Sequence, residues 1–171
     1  QCGWARSGKM FASQYFKDAG CAPDIMSTAK SIAGGMPLSA VTARAEIMDA
    51  VPGGTIGGTY GANAVSAASA LAVIDVMTRD DYPAKAMHIA DVVGKRFNAW
   101  KDKYECVGDV RGTGAMIGIE FVKDKATKEP DAALVGAIVQ EAMNNGLMLE
   151  SAGTYGNVIR FLCPLCVTDA Q

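Results

Sequence analysis

The sequence is poor in several things, and each shortage excludes something. There is one histidine, His88, in 171 residues, and aromatic residues make up 7%. A single histidine cannot build a His-rich zinc site. Acidic residues exceed basic ones by two, giving a net charge of -2. That is not the basic footprint of a nucleic-acid-binding chain, nor does it hold a polybasic patch for a membrane surface. No apolar run approaches the ~20 residues of a membrane span. Nucleic-acid and membrane partners are therefore not expected.

The five cysteines are Cys2, Cys21, Cys106, Cys163 and Cys166. An odd, dispersed set in a chain that is half hydrophobic reads as reduced thiols in a cytosolic setting, so a cytoplasmic location is expected. Cys163-Pro-Leu-Cys166 is a lone C-x-x-C with no second ligand pair, which reads better as strand filling than as a metal site. No repeat or low-complexity segment is present. The chain opens at Gln1 without Met and closes just after Thr168-Asp169, a good N-cap pair with no helix behind it. The expectation is part of a longer polypeptide.

What is present is a mixed pattern. Residues 8–16 suit a short helix, 23–29 a short buried strand, and 39–50 a strand followed by a helical turn. Residues 51–63, "VPGGTIGGTYGAN", carry five glycines and read as a loop. "AVSAASALAVIDVMT" has helical period and small side chains, which predicts a buried helix. A second helix begins at Pro83, with Ala86, Ile89, Ala90, Val93, Phe97 and Trp100 on one face. Beyond Cys106, strands are expected at 107–111 and 114–122. A helix follows from 131 to a cap at Gly146, and then come two more strands. Strand, strand, helix, strand, strand suggests a small α+β domain joined to a larger α/β one. The expected division is residues 1–82 and 83–171.

Four features bear on chemistry. Gly112, Gly114 and Gly118 in "RGTGAMIG" are spaced G-x-G-x-x-x-G between strands. That is a poor match to a dinucleotide loop, and glycines that let strands pack closely explain it better. The loop "GGTIGGTYGAN" precedes a helix, so its amides and the hydroxyls of Thr55, Thr59 and Tyr60 could bind an anion; a plain surface connection is the other reading. Lys30 sits in "MSTAKSIAGGMPLSA". The apolar and small residues on either side predict a low-dielectric approach, in which desolvation would lower the amine's pKa and make it a nucleophile. Gly34-Gly35 would let a planar group lie close to the backbone. Arg160 stands inside the apolar strand "NVIRFLCPL". Its fork suits a carboxylate, whether a substrate's or that of a buried Asp or Glu in a structural ion pair.

"GWARSGKMFA", "DIMSTAKSIAGGMPLSAV", "GGTYGAN" and "GNVIRFLCPL", in that order, resemble the signature blocks of the class III, or ω-amino acid, aminotransferases. The resemblance covers essentially the whole chain and is strongest to the branch acting on 4-aminobutyrate. It implies the C-terminal part of the fold type I architecture, an α/β fold. Part of the large mixed-sheet cofactor domain would lie at 1–82, and a connecting helix with a small α+β domain at 83–171. It implies pyridoxal 5'-phosphate as cofactor, a homodimer or higher homo-oligomer, and a small-molecule amino donor with 2-oxoglutarate as acceptor. By the same resemblance Lys30 forms the Schiff base and moves the proton. Gln1 lies beside the cofactor's phenolic oxygen, and Thr59 binds the cofactor phosphate in the neighbouring subunit's site. Arg160 holds the α-carboxylate of glutamate or 2-oxoglutarate.

The loop reads Asn63-Ala64 where many relatives have Asn-Pro. The family's aspartate on the pyridinium nitrogen, its ring-stacking aromatic and its distal-carboxylate residues fall upstream of Gln1. The isolated segment is therefore expected to be inactive. The alternatives are an acetylornithine or ornithine aminotransferase, another fold type I enzyme, or a non-catalytic relative that keeps the fold.

Overall fold

A computed structural model describes residues 1–55 and 57–171; Ile56, within the expected loop at 51–63, lies outside the described residues. The chain forms two compact units, Gln1–Pro83 and Ala84–Gln171.

The first unit is built around a small hairpin and one long helix. Strand β1 (Ile25–Thr28) pairs antiparallel with β2 (Ala40–Ala43), in register from Ile25↔Ala43 to Thr28↔Ala40. The connection between them holds a 3-10 turn, Lys30–Ala33. A short helix α1 (Ala45–Met48) follows β2, and α2 (Ala64–Arg79) follows the glycine-rich loop. The side chain of Asn63 caps α2 by accepting from the amides of Val65 (3.0 Å) and Ser66 (3.1 Å). In place of the helix expected at 8–16 there are two 3-10 turns, Ala12–Tyr15 and Lys17–Ala19.

Two burial expectations fail in this unit. β1 is not buried: its residues alternate between exposed and half-buried. α2 buries only Ser66, Ala70 and Met77, a stripe at helical spacing, while Val65 and Leu71 stand exposed. Small side chains allow close approach on the buried stripe alone. There Ala70 packs with Ile32 and Ala33, and the Ser69 hydroxyl donates to the Ala33 carbonyl at 2.9 Å.

The second unit is a sheet with helices. α3 (Tyr82–Lys103) enters it and leads to the hairpin of β3 (Val107–Thr113) and β4 (Met116–Asp124). The turn at Gly114-Ala115 uses Gly114 at φ 59. A two-residue strand β5 (Glu129–Pro130), not predicted from periodicity, pairs with β4. Helix α4 (Ala132–Asn144) is capped by the Asp131 carboxylate, which accepts from the Leu134 amide, and it ends at Gly146 with φ 79. Strands β6 (Glu150–Ala152) and β7 (Val158–Phe161) complete the antiparallel order β3-β4-β7-β6. One sheet face packs on the helices through Phe97, Val107, Ile117, Ile119, Phe121, Val135 and Ile159. Each such burial contributes about 1.5–3 kcal/mol. The alternation of the strands leaves Gly118, Val158 and Arg160 on the other face.

Candidate functional site

Lys30 opens its 3-10 turn with φ 59, in the left-handed region that costs a non-glycine residue about 1–3 kcal/mol. The local packing explains why the cost is met. Ile32 and Ala33 are driven into the core against Ala70 and Leu38, and the chain must bend at Lys30 to deliver them. Gly34 follows at φ 58. A Cβ there would sit 3.0 Å from Val73 Cγ2 on α2, so this glycine serves close packing of the turn on the helix. Gly35, at φ 106, faces open space.

The expected low-dielectric approach to Lys30 is absent. The residue is exposed: Ile32 and Ala33 turn inward, while Ile25 and Ala29 on the other side are themselves exposed and Lys30 turns out. Lys30 borders a recess of ≈ 750 Å³ between Gly34–Leu38 and the α2 residues Ser69, Val73 and Met77. Among the described residues no hydrogen bond or ion pair engages the Lys30 amine.

Thr59 lies in an exposed turn closed by the Gly61 amide on the Gly58 carbonyl at 2.8 Å. Tyr60 beside it is almost fully exposed, and the Thr55 hydroxyl is turned back onto the Pro52 carbonyl at 2.6 Å. Thr59 and Tyr60 are thus the exposed hydroxyl-bearing residues of the loop. Gln1 is exposed at the start of the segment whose Trp4 and Phe11 rings meet edge-on at 5.2 Å. Neither Gln1 nor Thr59 lines the Lys30 recess.

Arg160 belongs to the second unit. It stands in β7 between Gly118 of β4 and Glu150 of β6, its direct cross-strand partners. Its Nη2 donates to Glu150 Oε2 at 2.5 Å, and the side chains are 27% and 62% exposed. The ion-pair reading of Arg160 is therefore realised, though with an exposed carboxylate that water and salt screen. Gly118 puts no side chain on the face between Arg160 and Arg111, whose guanidinium is taken by Asp109 and Glu120. Asp109 is held below the usual carboxylate range, first by its hydrogen bond from Lys101 and then, against some desolvation, by Arg111. Glu150 escaped sequence reasoning because its partner is set by register across the loop at 153–157. Alternation in "LESA" puts it on one face of a strand and says nothing of what lies beside it.

The donor set fits a phosphorylated aldehyde cofactor. An unengaged primary amine stands on a constrained backbone, and an outward hydroxyl sits in a glycine loop ahead of a helix N-terminus.

The family model for "Aminotransferase class-III" matches residues 1–171. The chain is 44% identical over 171 residues to the 4-aminobutyrate aminotransferase of Escherichia coli (strain K12), covering 100% of this chain and 39% of the relative. It is 45% identical over 174 residues to a 5-aminovalerate aminotransferase of Pseudomonas putida, covering 99% and 39%. Its fold superposes with a TM-score of 0.85, at 32% identity, on an amine transaminase from an uncultivated Pseudomonas species solved in its PLP-bound, internal aldimine form, covering 98% of this chain and 39% of that one. The chain thus spans about two fifths of the length of the relatives it matches and has the fold of the corresponding part of a fold type I aminotransferase. Along its whole length it belongs to the class III aminotransferases.

Proposed function

We propose that the chain is the C-terminal part of a pyridoxal 5'-phosphate-dependent transaminase that moves the amino group of an ω-amino acid, 4-aminobutyrate, to 2-oxoglutarate. The observation that carries the reading is Lys30: an unengaged amine, on strained backbone, at the edge of an open recess. Strain of this kind persists where surrounding structure fixes it, and it collects at functional positions.

When bound, pyridoxal 5'-phosphate supplies an aldehyde that the lysine amine condenses with and an electron sink for the carbon that loses a proton. Lys30 Nζ, released when the substrate's amine takes its place, would take that proton from the carbon bearing the substrate's amino group and hand it on to the cofactor carbon that keeps the amino group. Thr59 offers its hydroxyl to the phosphate, in the neighbouring subunit's site of a homodimer. Gln1 would lie beside the cofactor's phenolic oxygen. Arg160 would receive the α-carboxylate of 2-oxoglutarate or glutamate, opposite Gly118, which puts no side chain beside it. The division of labour is cofactor contacts in residues 1–82 and acceptor recognition in 83–171. The 171 residues alone lack the rest of the site and do not turn over.

A second donor, 5-aminovalerate, is favoured by the Pseudomonas putida relative at 45% identity. The test is glutamate formation by the full-length enzyme from 2-oxoglutarate with a panel of donors. 4-aminobutyrate or 5-aminovalerate should lead the panel. Preference for acetylornithine or ornithine would refute the substrate assignment, and turnover by the isolated segment would refute the division of labour.

A further inference from the structure

The face on which Arg160 stands depends on register. Along β7, Ile159 and Phe161 pack into the sheet–helix core while Val158 and Arg160 point the other way. A slip of one residue would push the guanidinium among Phe97, Val135 and Ile117 and expose the aliphatic positions. Something must fix β7 against β4. Their regular pairing ends at Glu120↔Val158.

One residue earlier lies Asn157, 3% exposed. Its carbonyl accepts from the Phe121 amide at 2.8 Å. Its side-chain Nδ2 donates to the Phe121 carbonyl at 2.9 Å. One residue thus holds both backbone groups of Phe121, with the side-chain amide in the place a backbone N–H takes in a regular rung. The approach admits little else. Gly156 turns the chain at φ 64 just before it, and at Gly153 a Cβ would stand 3.1 Å from Val158 Cγ2. An aspartate at 157 would set an acceptor against an acceptor, and an alanine would leave the Phe121 carbonyl only the longer bond from the Asp131 amide, at 3.2 Å.

We infer that Asn157 is a positioning residue for substrate recognition: its two-point clamp on Phe121 fixes the register of β7 and so presents the Arg160 guanidinium beside Gly118 to an incoming carboxylate. The inference rests on the reading of Arg160 given above.

The test uses the full-length enzyme with Asn157→Ala, Asn157→Asp and, as a control on Arg160 itself, Arg160→Lys. The readouts are KM for 2-oxoglutarate, KM for 4-aminobutyrate (which has no α-carboxylate), binding of unreactive glutarate, and Tm. Misplacing a binding group by about 1 Å costs on the order of a hundredfold. A partial loss of register should therefore raise KM for 2-oxoglutarate and weaken glutarate by roughly tenfold or more, leaving KM for 4-aminobutyrate within about twofold. A purely structural role would lower Tm and move both KM values together, which overturns the inference. If Arg160→Lys raises KM for 2-oxoglutarate and the Asn157 variants do not, the positioning role alone falls. If Arg160→Lys leaves that KM unchanged, the Arg160 reading falls and this inference with it. Should Asn157→Ala not fold, the near-isosteric Asn157→Asp carries the same comparison.

Discussion

Arg160 and Glu150 should have opposite effects on the same substrate. A carboxylate on the Arg160 fork makes two charge-assisted hydrogen bonds, each contributing about 1.5–3 kcal/mol. Part of this is spent displacing Glu150, whose pairing with Arg160 is a cross-strand contact with a 62% exposed carboxylate. An ion pair of that exposure is worth about 0–1 kcal/mol. The net loss on Arg160→Gln is then about 3 kcal/mol, or roughly a hundredfold in KM for 2-oxoglutarate. Glu150→Gln removes only the competitor, so KM for 2-oxoglutarate should fall, by up to about fivefold. Because the pair is screened, that fall should shrink with added salt. Steady-state kinetics of the full-length enzyme, with acceptor varied at saturating donor and then the reverse, separates the two. An unchanged KM for Arg160→Gln would refute the carboxylate site. A rise in KM for Glu150→Gln would refute the reading of Glu150 as competitor.

Other perturbations probe the scaffold. Gly112→Ala would place a Cβ 2.2 Å from the Met116 carbonyl oxygen, inside the β3–β4 hairpin, where backbone cannot give way. Urea unfolding should show a loss of at least about 2 kcal/mol, against none if the hairpin were open there. Asn63→Ala removes the acceptor for two α2 amides, and a loss of about 1 kcal/mol is expected in thermal unfolding. The folded-state pKa of Asp109 is depressed below its ordinary value, so its stabilisation is present at neutral pH and is lost as pH falls below about 4. The stability difference between wild type and Asp109→Asn should therefore be largest near neutrality and vanish in acid; a difference that grows on acidification would contradict the Lys101–Asp109–Arg111 arrangement.

Much of the second unit is legible in the sequence because its periodicities are strong. The α4 pattern, the Gly146 stop and the alternation in β4 and β7 each follow from side chains that must share one core. β5 is invisible because two residues, one of them Pro130, carry no period. The first unit is harder to read. The run from Ile25 to Ala33 mixes apolar and small residues on both sides of Lys30, yet β1 is exposed and Ile32-Ala33 are buried, with Lys30 turned out between them. Composition cannot show which way a 3-10 turn aims its first residue; the left-handed φ at Lys30 does. Likewise Arg160 is conspicuous in its strand, but Glu150 and Asn157 gain their meaning only through register, which depends on how the loop at 153–157 closes.

On the proposed function Lys30, and no other lysine, engages the cofactor. Borohydride reduction of the full-length enzyme followed by peptide mapping tests it most directly. The expected result is a visible absorbance that borohydride removes, with the stable adduct on the peptide containing Lys30. An adduct on a different lysine, or no cofactor absorbance at all, would contradict it.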